Sequence, residues 1–327
     1  MYDKDLDVTA LGELLVDFIE AGSSDQGNPL YEANPGGAPC NVLSMLTKLG
    51  RKTAFIGKVG DDAFGRQLRN AICEIGIDDT GLCTDEKIHT TLAVVSKTAT
   101  GDRDFAFYRS PGADMMLRED EVNPDLIRRA KIFHFGTLSL TDEPVRSATR
   151  RAVAEAEACG CVRSFDPNLR MPLWSSSEEA KEQIAWGLDH CDILKISDNE
   201  VVWFTGEEDY DKGIAALSQG RNIRLICLSM GKDGSRAYID GKRVEVPAIL
   251  QSGTIETTGA GDTFGACVLD GVLQYGLDNL NEQTMREILL FANASASIIT
   301  TRKGALRVMP ERSETLRLLE EKGLQYK

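Results

Sequence analysis

Thr257-Thr258-Gly259-Ala260-Gly261-Asp262-Thr263-Phe264-Gly265 brings three glycines, three hydroxyls and one carboxylate into nine positions. The apolar residues Ala266, Cys267, Val268, Leu269, Val272 and Leu273 follow at helix-compatible spacing. A glycine-rich turn opening a helix leaves backbone N–H groups unpaired and aimed one way, and the helix dipole adds partial positive charge there. Such a turn can cradle an anion such as phosphate. A carboxylate beside an anion site repels the anion, so Asp262 asks for a chemical reason. Next to a phosphoryl group it can take the proton of an attacking hydroxyl. Two other readings stay open at this point. Gly259-x-Gly261-x-x-x-Gly265 looks like a dinucleotide fingerprint, although no strong strand precedes it and helices follow it. A purely structural glycine turn is the other. The chain holds no Walker A pattern, which speaks against a P-loop nucleotidase.

The elements that must position this turn are legible as alternating short apolar runs and amphipathic stretches. Residues 8–16 read as a first strand ending at Asp17, followed by a turn-rich flap over 20–35. Pro35-Gly36-Gly37-Ala38-Pro39 then opens a helix closed by Gly50. A strand over 53–59 leads to a helix capped by Asp61-Asp62 and closed by Gly76. Segments 90–96 and 104–108 read as a hairpin joined by the polar stretch 97–103. From 123 onward helices (123–130, 143–158, 177–189, 198–219) alternate with strands (132–135, 162–165, 193–196, 223–228). A hairpin over 235–247 and helices over 262–275, 282–299 and 310–322 close the chain. Strands alternating with helices predict an α/β fold, with a mainly parallel central sheet flanked by helices on both faces.

Ligands of such sheets bind beyond the carboxyl ends of the strands. The residues found there are Asp17, Gly36, Gly37 and Asn41, then Asp166, Asn168 and Arg170, then Ser197 and Glu200, then Ser229, Gly231 and Gly234. Each alone has a plainer reading: Asp61, Asn123 and Asp198 suit helix caps, and Trp174 suits core packing.

Composition narrows the classes. The 327 residues are 42% hydrophobic and 27% charged, with a net charge of −14, which argues against nucleic acid or an anionic membrane as partner. The eight cysteines are scattered without a CxxC pair and the three histidines sit far apart, so reduced core thiols are expected rather than disulfides or zinc. The charged start Asp3–Asp7 and the lack of a long apolar run lead to the expectation of a cytoplasmic protein.

Taken together, these segments resemble the PfkB, or ribokinase-like, family of sugar kinases, in motif order and over Leu11 to about Pro310. The resemblance is carried by Gly12-Glu13-Leu14-Leu15-Val16-Asp17, Gly36-Gly37-Ala38-Pro39-Cys40-Asn41, Gly57 to Gly65, Ser229-x-Gly231-x-x-Gly234, Thr257 to Asp262 and Thr301-Arg302-Lys303-Gly304-Ala305. Phe165-Asp166-Pro167-Asn168-Leu169-Arg170 and Phe107-Tyr108-Arg109-Ser110-Pro111-Gly112-Ala113-Asp114 are similar to the fructokinase branch.

The resemblance implies one ribokinase-like kinase domain over 1–327, with a lid subdomain from about 18–35 and 90–110. It implies Asp262 as base, with the N–H groups of Gly259, Ala260 and Gly261 as an anion hole for the transferring phosphoryl group. Asp17, Gly36, Gly37, Asn41, Arg109, Asn168 and Arg170 would bind the sugar. Lys195, Glu200, Ser229, Gly231, Gly234, Gly259, Gly261 and Asn293 would face ATP, with Glu200 on Mg²⁺ through water. Glu256, Thr258, Arg302 and Gly304 would surround a monovalent cation such as K⁺. The chain departs from the family pattern at Glu256, where Asp is usual, and at Ser197, where Asn is usual. A helix N-terminus should lower the pKa of Asp262. The expected reaction is phosphorylation of the 6-hydroxyl of fructose. A 2-keto-3-deoxygluconate kinase, another sugar or nucleoside kinase, a non-catalytic sugar-binding relative and a dehydrogenase are the alternatives. Exposed lid edges suggest a homodimer through the lid strands.

Overall fold

The computed structural model describes residues 3–97 and 103–326. Two sheets organise it. The larger has nine strands: β1 (Leu6–Leu11), β4 (Thr53–Gly60), β5 (Asp78–Asp85), β8 (Ala130–Gly136), β9 (Val162–Asp166), β10 (Ile193–Ser197), β11 (Leu225–Ser229), β12 (Ser235–Ile239) and β13 (Lys242–Val246). Their order is β13-β12-β11-β10-β9-β8-β1-β4-β5, parallel throughout except that β12 runs antiparallel to both β11 and β13. The smaller sheet has the order β3-β2-β6-β7, from β2 (Leu15–Ser23), β3 (Pro29–Gly36), β6 (Leu92–Lys97) and β7 (Arg103–Tyr108). The connection 98–102, where the sequence expects a polar hairpin turn, lies outside the described residues.

The helices cover both faces of the large sheet, as expected. They are α1 (Ala38–Lys48), α2 (Ala63–Ile75), α3 (Pro124–Arg128), α4 (Val145–Ala158), α5 (Ser177–Asp189), α6 (Asp198–Thr205), α7 (Tyr210–Ser218), α8 (Ala260–Tyr275), α9 (Glu282–Ile299) and α10 (Arg312–Glu321). The period of two along each strand sorts side chains between two cores. On β4, Phe55 joins the cluster under α1, α8 and α9, while Ala54 and Ile56 join the one under α4 and α5. Burying one such aliphatic or aromatic side chain is worth roughly 1.5–3 kcal/mol. Gly187 lets α5 lie on the sheet: a Cβ there would come within 2.3 Å of the Phe165 ring.

Several expectations are corrected. Residues 8–16 are not one strand. The chain leaves the large sheet after Leu11 and enters the small one at Leu15, so Asp17 sits inside lid strand β2 and not at the end of β1. Strand β5 was not anticipated. The helical stretch 198–219 is two helices, broken where Gly206 takes a left-handed conformation at φ 76°. The expected helix 123–130 ends at Arg128, because Ala130 already pairs with Leu6 in the sheet. Asp62 caps α2 through Gly65 N (2.8 Å) and Asn123 caps α3, but Ser197, not Asp198, caps α6. Trp174 is buried with Leu140 and Ala180, the packing role expected for it.

The small sheet is fixed to α2 as well as to β1. Phe18 meets Phe64 edge to face at 5.5 Å between ring centres, and Gln67 Nε2 donates to Ala33 O at 2.9 Å. Among the described residues no helix is long and apolar enough to cross a membrane.

Candidate active site

A cleft of about 1100 Å³ runs between the two sheets and the start of α8. Its wall takes Glu13, Leu15 and Asp17 from the β1–β2 crossing and lid, Gly37 and Asn41 from α1, and Asn168 and Arg170 from the loop after β9. Lys195 and Glu200 from β10 and α6, Ser229, Gly231 and Gly234 after β11, Glu256 to Asp262, and Asn293 from α9 complete it. Most of the residues singled out in sequence therefore share one cavity.

Local geometry explains the glycines. Gly259 stands at the N-cap of α8 in the left-handed region (φ 75°), where an added Cβ would come within 2.8 Å of Ala305. Ala260 N donates to Thr257 O at 3.2 Å, so that N–H belongs to the turn rather than to an anion hole. The first intrahelical bond is Thr263 N to Gly259 O, 2.8 Å. The N–H groups of Gly261 and Asp262 lie in the first turn, whose donors have no acceptor within a helix. A Cβ on Gly261 would stand 3.0 Å from Lys195 Nζ, so the glycine lets the ammonium approach the turn.

Asp262 is buried and accepts from Asn41 Nδ2 at 2.8 Å through Oδ2. Burial pushes its carboxyl up to about 6. The Asn41 bond and the cations Lys195 and Arg170 oppose the rise, and Asp166 adds to it. The expected lowering by the helix N-terminus does not prevail, because desolvation of the charged form outweighs it. Lys195 Nζ pairs with Asp166 Oδ2 at 2.9 Å. Burial works against its charge, but Asp166, Glu200 and Asp262 together raise its pKa. Asn41 Oδ1 is a buried oxygen without a hydrogen-bond partner among the described residues, which suits a ligand hydroxyl.

On the lid side, an added Cβ on Gly36 would lie 2.3 Å from Asp17 Oδ2, and one on Gly37 (φ 123°) 2.4 Å from Glu13 O. The two glycines thus make room for the Asp17 carboxylate and for the chain crossing between sheets. Asn168 takes a left-handed φ of 44° just beyond β9. Glu200 accepts from Leu169 N (2.8 Å) with one oxygen and from Ser197 N and Oγ (2.8 and 2.7 Å) with the other. That capping box ties the loop carrying Asn168 and Arg170 to α6. Asn293 Nδ2 donates to Val246 O and Pro247 O at 3.2 and 3.1 Å.

Two expected residues stand elsewhere. Arg109 lines a separate cavity of about 650 Å³ with Trp174, and its guanidinium is held by Asp114 (2.8 Å), Thr141 (2.9 Å) and Leu138 O (2.8 Å). A cation so fully engaged is a brace for the loop after β7. Arg302 bonds Val308 O at 2.8 Å and Glu314 at 2.5 Å, away from the cleft, whereas Glu256 Oε1 does meet Gly304 N at 2.8 Å. Sequence reasoning passed over Glu13 and left Asp166 without a role. Both carry a signal: Glu13 is the lone charge in the apolar run 8–16, and Asp166 ends β9.

A nine-stranded sheet, a four-stranded lid and a glycine-opened helix at the cleft between them define a sugar kinase of the ribokinase-like fold. Fructokinase from Xylella fastidiosa with bound ATP superposes with a TM-score of 0.89 at 28% identity, over 98% of this chain and 99% of that one. A double mutant of fructokinase from Vibrio cholerae O395, in its fructose, ADP and potassium ion bound form, gives 0.87 at 28% identity, over 98% and 100%. Fructokinase-2 of Solanum lycopersicum is 40% identical over 315 residues, 96% of each chain. The model of the pfkB family of carbohydrate kinases matches residues 5–312, and the chain belongs to that family.

Proposed function

We propose that the protein transfers the γ-phosphoryl group of ATP to the 6-hydroxyl of fructose. The observation that carries this reading is the buried Asp262 carboxylate at the first turn of α8, beside Lys195 and bonded to Asn41. The sugar-kinase family and the fructokinase relatives support it. The sugar lies between Asp17, Asn41, Asn168 and Arg170, with its hydroxyl toward Asp262. ATP lies along Ser229 to Gly234, Asn293 and the 256–261 turn. Asp262 holds the hydroxyl in line and takes its proton as the new bond forms. The N–H groups of Gly259 and Gly261, together with Lys195, face the charge that builds on the phosphoryl oxygens, and each preorganised donor is worth about 10²–10³ in rate.

The donor set fits the expected ions. Among the described residues no three His, Cys, Asp or Glu side chains cluster to hold a metal. Mg²⁺ keeps most of its water and relies on substrate phosphates, needing only one or two carboxylates such as Glu200. It would neutralise phosphate charge. The Glu256 carboxylate and the Thr258 hydroxyl are the hard oxygen ligands a monovalent cation takes, and Gly304 stands beside Glu256, while the Arg302 side chain is engaged elsewhere. We read residues 1–327 as one catalytic domain with the four-stranded sheet as its lid. The exposed Leu30, Tyr31 and Tyr108 on that lid suit pairing of two copies, which sedimentation velocity tests.

The experiment is ADP release from Mg-ATP at pH 7.5 against fructose, 2-keto-3-deoxygluconate, ribose, glucose and adenosine. Fructose should give the highest kcat/KM. A win for the sugar acid would turn Arg170 into its carboxylate ligand. Binding without turnover of any sugar would overturn catalysis.

A further inference from the structure

The crossing from the large sheet to the lid is made by Gly12, Glu13 and Leu14, between the end of β1 and the start of β2. It lies tightly on the start of α1: a Cβ on Gly12 would stand 2.6 Å from Pro39 Cγ, and one on Gly37 3.2 Å from Leu14 Cα. Helix α1 lacks the usual means of closing its N-terminus. Its N-cap is Gly37, which offers no side chain, and its first turn holds no acidic residue. Glu13, 25 positions upstream, does the work instead: its Oε1 accepts from Ala38 N at 2.8 Å. Glu13 is 4% exposed and lines the cleft. A charged acceptor at a helix N-terminus gains from both the hydrogen bond and the dipole. Three residues beyond Ala38 comes Asn41, which bonds Asp262, and four residues beyond Glu13 comes Asp17.

We propose that Glu13 is the latch of the lid hinge, a positioning residue that joins the sheet-to-lid crossing to α1 and so fixes Asn41 and Asp17 relative to each other. This rests on the reading of those two residues as sugar ligands. The Glu13 carboxylate is engaged by Ala38 N at the edge of the cleft wall. Its ionised form makes the stronger bond to Ala38 N. Burial raises its pKa to about 7, the bonds from backbone N–H groups oppose this, Asp114 adds to the rise and Arg109 opposes it. Cys40 on α1 feels the Glu13 charge, and Asp17, Arg170, Lys195 and Asp262 are other charged groups of the cleft wall. Burial outweighs those bonds, so the closed latch holds its proton more tightly than an opened, solvated Glu13 would, and the latch loosens as pH rises through about 7.

Glu13→Gln keeps the length and the acceptor but cannot carry the charge; Glu13→Asp keeps the charge but falls one methylene short. With the full chain and Mg-ATP, Glu13→Gln should hold the fructose KM at its low-pH value at every pH, and Glu13→Ala, which removes the acceptor, should raise it about fivefold, the scale of one lost hydrogen bond. The KM for ATP and kcat should stay within about twofold of wild type. The fall in kcat/KM for fructose as pH rises through about 7 should vanish in Glu13→Gln, while the rise near 6 from Asp262 remains. Glu13→Asp should raise the fructose KM as well. Superimposable pH profiles and sugar KM values for wild type and Glu13→Gln overturn the proposal, and so does an equal loss of kcat and both KM values. Hydrogen exchange decides independently of turnover. Protection of residues 38–42 should fall above pH 7 in wild type and stay high at every pH in Glu13→Gln; protection equal in the two proteins overturns the latch. A wild type that turns over no sugar would overturn the assigned reaction alone.

Discussion

Asn41 Nδ2 and Asp262 Oδ2 meet at 2.8 Å across 221 positions of sequence, joining the first turn of α1 to the first turn of α8. The bond favours the ionised carboxylate against the burial that raises its pKa to about 6. A base must be deprotonated to act, so kcat/KM should climb as pH rises through about 6. Asn41→Ala removes the opposing bond, so that limb should move to higher pH, and the fructose KM should rise as well. A pH series of kcat/KM for both proteins checks the shift. A limb that stays in place in Asn41→Ala would separate it from Asp262.

Asp262→Asn should lower kcat by about 10²–10⁴, the range for losing a general base, with small changes in either KM. Its stability should move the other way at high pH. A folded pKa of about 6 against an ordinary 3.8 means that the folded chain holds the proton more tightly than the unfolded one. The resulting stabilisation is full below 3.8 and is lost as pH rises through about 6. The cost carried above that window is about 3 kcal/mol, which a neutral Asn avoids in part. Thermal unfolding at pH 5 and pH 8 should therefore show a smaller difference in Asp262→Asn than in wild type.

The Lys195–Asp166 pair separates catalysis from stability. Both side chains are nearly buried at 11% and 6% exposure. Lys195→Met leaves Asp166 charged and unpaired, which costs about 3–5 kcal/mol. Removing both charges in Lys195→Met with Asp166→Asn should recover most of that loss. Activity should not return, since Lys195 also stands beside Gly261, where the proposed reaction has it face the phosphates. Denaturant unfolding and ADP release on the single and double variants test the two halves.

The turn at 257–265 and the loop after β9 were legible because glycine, hydroxyl and carboxylate at fixed spacing have few other uses. The alternation of short apolar runs with amphipathic ones likewise exposed the parallel sheet and both helix layers. The break between β1 and β2 was hidden, since Leu11 to Val16 is apolar apart from Gly12 and Glu13 and reads the same whether it feeds one sheet or two. Strand β5 was hidden for the opposite reason: at the sheet edge it buries only Gly81 and Leu82 amid Asp and Thr. The role of a cation is also tertiary. In sequence Arg109 reads as a sugar ligand; in the fold Asp114, Thr141 and Leu138 take up its guanidinium. Glu13 sits inside a sequence motif, yet only the fold brings it to the bare N-terminus of α1.

Gly36 provides the sharpest test of the lid as a sugar-binding surface. Its place in β3 pairs it with Leu15 of β2, and an added Cβ would fall 2.3 Å from Asp17 Oδ2. The obstacle is one short side chain and not the backbone, so Gly36→Ala should displace the Asp17 carboxylate while the sheet stays intact. Unfolding temperature should change little, since a Cβ in a strand also restricts the unfolded chain. The fructose KM should rise by about tenfold, the scale of losing one charged hydrogen bond to a hydroxyl. The ATP KM should hold, because the proposed arrangement gives Asp17 to the sugar and not to the nucleotide. Equal effects on both substrates would mean that the lid moves as a whole and that Asp17 is not a specific ligand of the sugar.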